Sequence, residues 1–243
     1  MCPMNNFADA APNADPFRFP HPYVTVDVVA LTARDKRLEV LLIQRGEEPF
    51  TGLWAIPGGF AQIGEDLDDA ATRVLTDKTG VAEAAPFLEQ LYTFGNATRD
   101  PRYHVVTVAY YALLPAPDSG LPNAVSSEPV AGKNAAEAQW FDVSDLPPLA
   151  FDHADILKTA IARLRAKLGY TSVAYALLAD EFTLTELQTV YETILGRGLD
   201  KRNFRKKMLS LDILDATGKE RRLGAHRPAQ LFRFGKREPV FLP

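Results

Sequence analysis

The sequence predicts an α+β protein in two parts, a sheet domain that embeds one amphipathic helix, then a small helical module that closes on a basic hairpin. Three observations carry this. Tyr23–Leu31 alternates and is rich in valine, and Val105–Leu114 is one long apolar run, as strands are. Between them Leu67, Ala70, Ala71, Val74 and Leu75 keep the spacing of a helix that buries one stripe. Charge divides along the chain as well: residues 1–150 hold 10 Lys and Arg against 20 Asp and Glu, residues 151–195 hold 4 against 6, and residues 196–243 hold 13 against 5. The net charge of -4 therefore hides an acidic body and a basic end, and such an end is either a polyanion-binding module or a solvated face.

The 243 residues suffice for one large or two modest domains with a buried core, and 47% hydrophobic with 24% charged residues is ordinary for a globular protein. No apolar run approaches the roughly 20 residues of a membrane span, so no membrane partner is expected. Met1 to Pro22, rich in Ala, Pro and Asn, lacks the basic-then-apolar order of a signal peptide and reads as a leader with little structure. A single cysteine, Cys2, precludes an internal disulfide and suits the cytoplasm.

Taken in order, Tyr23–Leu31 and Leu38–Gln44 form an expected antiparallel pair, with Ala33 to Lys36 as the turn. Pro57 fixes entry to a glycine pair, Gly58-Gly59, that permits backbone angles other residues avoid. Asp66, Asp68 and Asp69 crowd the first turn of the embedded helix, where its dipole favours carboxylates, and Gly80 caps its end. Leu88–Phe94, Val105–Leu114 and Gln139–Phe141 are further strands, and a loop of Pro, Ser, Gly and Asn spans 115–133. A helix embedded among antiparallel and mixed strands gives an α+β sandwich.

Residues 153–168 predict a connecting helix, with Ile156, Leu157, Ala160, Ile161, Leu164 and Leu168 on one face and Lys158, Arg163, Arg165 and Lys167 on the other. Thr183 or Thr185 caps the next helix, which buries Leu187, Val190, Tyr191 and Ile194 and stops at Gly196. Asp200 caps a third, with five cations in the seven residues 201–207 and a buried stripe of Phe204, Met208 and Leu211. A hairpin follows, turning at Thr217-Gly218 and returning along Gln230–Phe234. Helix, turn, basic helix, basic hairpin is the order of a winged helix-turn-helix, whose second helix enters the major groove of DNA. The expected segments are 1–22 for the leader, 23–150 for the sheet domain and 151–243 for the linker helix and winged helix-turn-helix.

The stretch from Gly59 to Gly80 resembles the Nudix box: Gly59, Glu65, Arg73 and Gly80 keep its intervals. The three glutamates that follow the arginine in that family are replaced by Val74, Asp77 and Lys78, which share one helical face. The resemblance implies a Nudix α/β/α sandwich, with that face holding the magnesium ions that help cleave nucleoside diphosphate compounds. Mg²⁺ wants oxygen ligands, and an ammonium about 4 Å from it is repelled by roughly 8 kcal/mol at an effective dielectric near 20. Neither a catalytic residue nor a metal site is therefore expected. Lys78 either supplies part of the charge the metal would have supplied, so that a diphosphate is held and not cut, or is a solvated lysine on a drifted helix.

Over a longer span the chain resembles the Nudix-related transcriptional regulators of bacterial NAD metabolism, which fuse a Nudix domain to a C-terminal winged helix. The stretches that carry this are Thr25-Val26-Asp27, Leu88 to Gly95, Arg99-Asp100-Pro101-Arg102, Leu149 to His153, Phe182 to Gln188, Leu199 to Phe204 and Arg227-Pro228-Ala229. The resemblance implies a homodimeric repressor that senses ADP-ribose or a related NAD product, needs no cofactor and leaves its DNA operator on binding that effector. Related fusions regulate sugar catabolism.

For the effector, Arg45, Arg99 and Arg102 suit bidentate phosphate recognition, Gly58, Gly59 and Glu65 shape the loop beneath a diphosphate, and Lys78 adds charge. Phe60, Phe94 or Trp54 stacks on adenine or belongs to the core, and His153 is a ligand contact or a helix start. Arg73 is expected to pair with Asp69 or Asp77. For DNA the expected residues are Lys201, Arg202, Asn203, Arg205, Lys206 and Lys207, with Arg221 and Arg222 on the wing. An active ADP-ribose pyrophosphatase and an RNA-binding or protein-interaction adaptor are the rival functions.

Overall fold

The computed structural model describes residues 21–80, 85, 87–116, 129–132, 134–222 and 228–242. Outside these lie most of the leader expected at 1–22, Val81 after the box, most of the loop expected at 115–133, and Arg227.

The valine-rich segments form a seven-stranded mixed sheet. Its strands are β1 (Tyr23–Arg34), β2 (Arg37–Arg45), β3 (Trp54–Ala55), β4 (Gly58–Phe60), β5 (Phe87–Phe94), β6 (Val105–Leu113) and β7 (Ala135–Asp142), with path β3-β2-β1-β6-β5, β4 on β1 and β7 on β2. β1 runs parallel to β6 over Tyr23–Leu31. On its other edge it changes partner: Thr25–Asp27 pair with β4 and Leu31–Arg34 with β2. The first hairpin turns on Asp35 and Lys36, both at positive φ, which twists the turn to match its strands.

Helix α1 (Leu67–Thr79) buries Ala70, Ala71, Val74 and Leu75 against Val26, Val28, Val108, Tyr110 and Trp140 on one face of the sheet. Gly80 caps it at φ 68°, its N–H donating to the Thr76 carbonyl. The opposite face, Val29, Leu31, Val40, Leu42, Tyr111 and Leu113, is covered by α2 (His153–Lys167), the 3-10 turn Val173–Leu177 and α3 (Leu184–Leu195). This is the expected α/β/α sandwich, and its core continues into α4 (Lys201–Ser210) through Phe204 and Met208.

Thr183 and Glu186 form a capping box at the start of α3, and Gly196 ends that helix at φ 67°. The Asp200 carboxylate accepts the Asn203 N–H at the start of α4. Strands β8 (Phe182–Thr183), β9 (Leu214–Arg221) and β10 (Ala229–Phe234) make the wing, in the order β8-β10-β9.

Two local expectations are corrected. Lys167 does not belong to an outer face of α2: it is buried, its Nζ paired with Glu89 and lying 5.6 Å from the Phe87 ring centre. Arg163, half-buried, and Arg165, exposed, keep to the expected face, and from it they donate to the carbonyls of Leu91 and Ile194 on the neighbouring β5 and α3. Thr217-Gly218 is not the hairpin turn, since β9 runs through it with a register shift opposite Leu231, and Gly218 at φ 74° accommodates the irregularity.

Candidate functional site

Where β1 changes partner, a cleft of about 200 Å³ opens between β4, the end of β2 and the loop 99–102. Arg45, Gly58, Gly59, Phe60, Lys78, Arg99 and Arg102 line it. Of the expected effector residues Glu65 stands apart, because Arg73 claims it. Arg73 Nη2 donates to Glu65 Oε2 at 2.8 Å and to the Phe60 carbonyl at 3.1 Å. Arg73 thus spends its hydrogen bonds on the folded-back loop, while the expected partner Asp77 acts on it through charge, the weaker of the two influences. The same guanidinium holds the Glu65 carboxyl down at about 2.

The glycine pair acts through close approach rather than unusual angles, since neither residue is among those at positive φ. A Cβ on Gly58 would lie 2.0 Å from Asp27 Oδ1, and one on Gly59 would lie 3.2 Å from Val74 Cγ2. Val74 is therefore core beneath the glycine loop, although Lys78, one turn on, reaches the cleft. Of the family's three glutamate positions one is thus a buried isopropyl group, one a carboxylate and one an ammonium. Glu65 is engaged by Arg73, so Asp77 is the carboxylate that remains at these positions.

The floor of the cleft is a buried polar network. Arg99 donates to Asp152 from Nε (2.9 Å) and Nη2 (2.7 Å), and from Nη2 to Asp27 at 3.3 Å. Burial works against its charge, and the two carboxylates restore it, so that its pKa is raised. His153 is both a cleft residue and the first residue of α2. Its Nδ1 accepts the Ile56 N–H at 2.9 Å, and Nε2 lies 4.0 Å from Asp27. An accepting Nδ1 cannot carry a proton, which agrees with the downward push of burial on the imidazole pKa.

Arg45 stacks on Phe151 at 4.8 Å and donates to the Pro49 carbonyl, while Arg102 is held by Asp100. Burial first, then the charge of Arg102, lowers the Arg45 pKa, so an anion between these guanidiniums would relieve a repulsion. Phe60 is exposed at the rim, whereas Phe94 and Trp54 pack against the core, the latter on Phe141. Sequence reading misses Asp27, Asp100, Phe151 and Asp152. Each lies within a stretch that carries the family resemblance, but pairings such as Arg99–Asp152 and Arg99–Asp27 span dozens of residues and have no local periodicity to betray them.

On the basic module Lys201, Arg202, Asn203, Lys206 and Lys207 are exposed along α4. Arg205 leans toward a cleft of about 930 Å³ between α4 and the wing, and its Nε is buried with no hydrogen-bond partner among the described residues. Arg222 is exposed. Arg221 is committed instead to Glu186 (2.8 Å) and the Glu181 carbonyl, tying the wing to α3. No described helix is long and apolar enough to cross a membrane.

Residues 21–162 match the family model of the NUDIX domain, and residues 174–234 match that of the NrtR DNA-binding winged helix domain. The chain is 40% identical, over 92% of its length and 86% of the relative's, to the ADPR responsive transcriptional repressor NtrR of Acinetobacter baylyi. It is 36% identical, over 57% of its length and 72% of the relative's, to the ADP-ribose pyrophosphatase of Methanocaldococcus jannaschii. Among solved structures, Shewanella oneidensis NrtR complexed with a 27mer DNA superposes with a TM-score of 0.73 at 37% identity, over 87% of this chain and 93% of that one. The NUDIX domain of the same Shewanella protein complexed with ADP ribose gives 0.55 at 38% identity, over 63% of this chain and 94% of that one. A NUDIX sandwich carrying this winged helix, aligned nearly end to end with such relatives, means that the chain belongs to the NrtR family.

Proposed function

We propose that this chain is a transcriptional repressor that holds a DNA operator through α4 and the wing and releases it when ADP-ribose enters the cleft beside Gly58 and Gly59. The observation that carries the reading is the 40% identity to the ADPR responsive repressor of Acinetobacter baylyi, which spans both the cleft and the basic helix. The chemistry of each site supports it. Arg45, Arg102 and Lys78 offer a diphosphate cationic partners, Arg99 stiffens the floor, and the exposed Phe60 ring offers a base a stacking surface. Glu65 contributes through Arg73, which holds the loop that carries Phe60.

On α4, Arg202 and Asn203 have the side chains that read guanine and adenine, and Lys201, Lys206 and Lys207 suit phosphate. Arg205, half-buried beside the cleft between α4 and the wing, joins the phosphate set. Arg222 belongs to the phosphate set, and Arg221 serves by holding the wing in place. The sensing unit is residues 23–150 and the DNA-binding unit residues 151–243. As a homodimer the repressor would set its two α4 helices about 34–36 Å apart on a palindromic operator, acting in the cytoplasm without a cofactor.

In this reading the cleft binds and does not cut, because Val74 and Lys78 stand where metal-holding carboxylates are needed. The second reading is a working ADP-ribose pyrophosphatase, favoured by the 36% identity to the Methanocaldococcus enzyme. The test is a gel-shift titration of a palindromic duplex selected by the protein from a random pool, with and without ADP-ribose, followed by product analysis with Mg²⁺ or Mn²⁺. Release of DNA by ADP-ribose without hydrolysis is expected. Metal-dependent AMP formation abolished by Asp77→Ala would replace the first reading with the second, and indifference of the DNA complex to ADP-ribose would remove sensing.

A further inference from the structure

We infer that Arg165 is the residue through which occupancy of the cleft is transmitted to the DNA-binding helix, with α2 as the rigid member between them; the inference rests on the function proposed above.

Helix α2 begins in the floor of the cleft. His153, its first residue, lines the cleft, and Asp152, immediately before it, takes two of the three bonds that fix Arg99. An anion that competes for the Arg99 guanidinium therefore acts on the start of α2. His153 is also bonded to the Ile56 N–H, just ahead of the glycine pair, so a shift of that loop reaches the same point.

The other end of α2 grips the DNA-binding unit. Fifteen residues at about 1.5 Å each place Arg165 and Lys167 some 20 Å from His153. Lys167 anchors this end to the sheet through Glu89, which also accepts from the Tyr111 hydroxyl. Arg165 turns toward the opposite neighbour: its Nε donates to the Ile194 carbonyl at 2.9 Å, and its Nη2 lies 3.7 Å from where a Cβ on Gly196 would sit. Ile194 belongs to the last turn of α3, directly before the helix-turn-helix turn. The turn is itself tied down, with the Glu192 carboxylate accepting the Leu199 N–H and Gln188 donating to the Leu199 carbonyl, and α4 follows with Phe204 against Tyr191. Arg165 therefore holds a carbonyl in the last turn of α3, ahead of the turn into α4, while Lys167, two residues on, holds the sheet. Because α2 is one stiff helix, a displacement or rotation of its start reaches Arg165, whose hold on α3 is a single polar contact.

Adjacency alone is not coupling, so the test measures coupling. Full-length wild type, Arg165→Met and Arg165→Lys are compared for three quantities: affinity for ADP-ribose without DNA, affinity for the selected duplex without ADP-ribose, and duplex affinity at saturating ADP-ribose. Methionine keeps the aliphatic stem against α3 and removes the donors, and lysine restores one donor. Allosteric factors are typically about 5–150-fold, so the expected result is a wild-type factor in that range, an Arg165→Met factor within about threefold of one with both separate affinities preserved, and partial recovery in Arg165→Lys. A full wild-type factor in Arg165→Met overturns the inference and leaves the function proposed above standing. So does a folded Arg165→Met protein that loses DNA affinity in the absence of ADP-ribose, since Arg165 would then be a support of the winged helix and nothing more. A wild type whose DNA complex ignores ADP-ribose overturns the functional reading itself.

Discussion

A methyl group on residue 58 would fall 2.0 Å from the Asp27 carboxylate, and that carboxylate cannot step aside, because Arg99 holds it against the cleft floor. Gly58→Ala is therefore expected to cost roughly 1–3 kcal/mol in urea unfolding and to weaken ADP-ribose binding together with stability. The same floor makes a pH prediction through His153. Burial lowers its folded pKa below the ordinary value near 6.5, so as pH falls through that value the unfolded chain takes up a proton that the folded chain refuses. Stability contributed by the neutral imidazole is present above about 6.5 and declines below it. Unfolding free energies measured from pH 7.5 to 5 in wild type and in His153→Asn, whose amide oxygen still accepts the Ile56 N–H, check the sign: the slope should flatten in the variant. The groups facing this imidazole are Asp27, Arg99, Asp152 and Arg45. That a histidine lies at position 153 is plain in the chain, but which of its two roles it plays is not. It starts α2 and also lines the cleft, because the first turn of α2 abuts the loop at Ile56.

Helix ends are the most legible elements. Thr183, Gly196, Asp200 and Gly80 act as caps where their residue types and spacing lead one to expect caps, since capping is decided by a few neighbouring backbone groups. Thr183→Ala removes the side-chain half of the capping box and is expected to destabilise the chain by about 0.5–2 kcal/mol in denaturant, with the Glu186 bond to the residue-183 N–H left in place. Helix α2 shows where such reading fails. Its spacing sends the cations toward solvent, yet Arg163, Arg165 and Lys167 reach a carbonyl, a carbonyl and a carboxylate on two neighbouring elements. Amphipathic spacing identifies the apolar stripe but not what stands opposite the polar one. The wing gives a similar lesson, since a Thr-Gly pair signals a turn or a bulge equally well and the partner strand selects between them.

Across the molecule the basic end and the acidic body fold onto one continuous core, so the DNA-binding unit is packed against the sensing sheet. Lys206→Ala and Lys207→Ala are each expected to weaken DNA binding across sequences and to lower the log–log salt slope by about 0.9 for every phosphate that is no longer neutralised. Arg221→Ala should instead loosen the wing, because its guanidinium is engaged by Glu186 and the Glu181 carbonyl, and should move thermal stability more than the salt slope. Filter-binding or anisotropy titrations over a range of salt, beside melting curves, separate the two. Length, charge asymmetry, strand and helix periods and the altered Nudix box are all readable from the chain, because each depends on residue type at short separations. The meeting of Arg99 with Asp152, the claim of Arg73 on Glu65, the burial of Val74 under Gly59 and the reach of Arg165 to the Ile194 carbonyl require the folded chain. Polar partners are chosen by proximity in space among many candidates of equal chemistry, and that choice exists once distant segments have been brought together by the burial of their apolar faces.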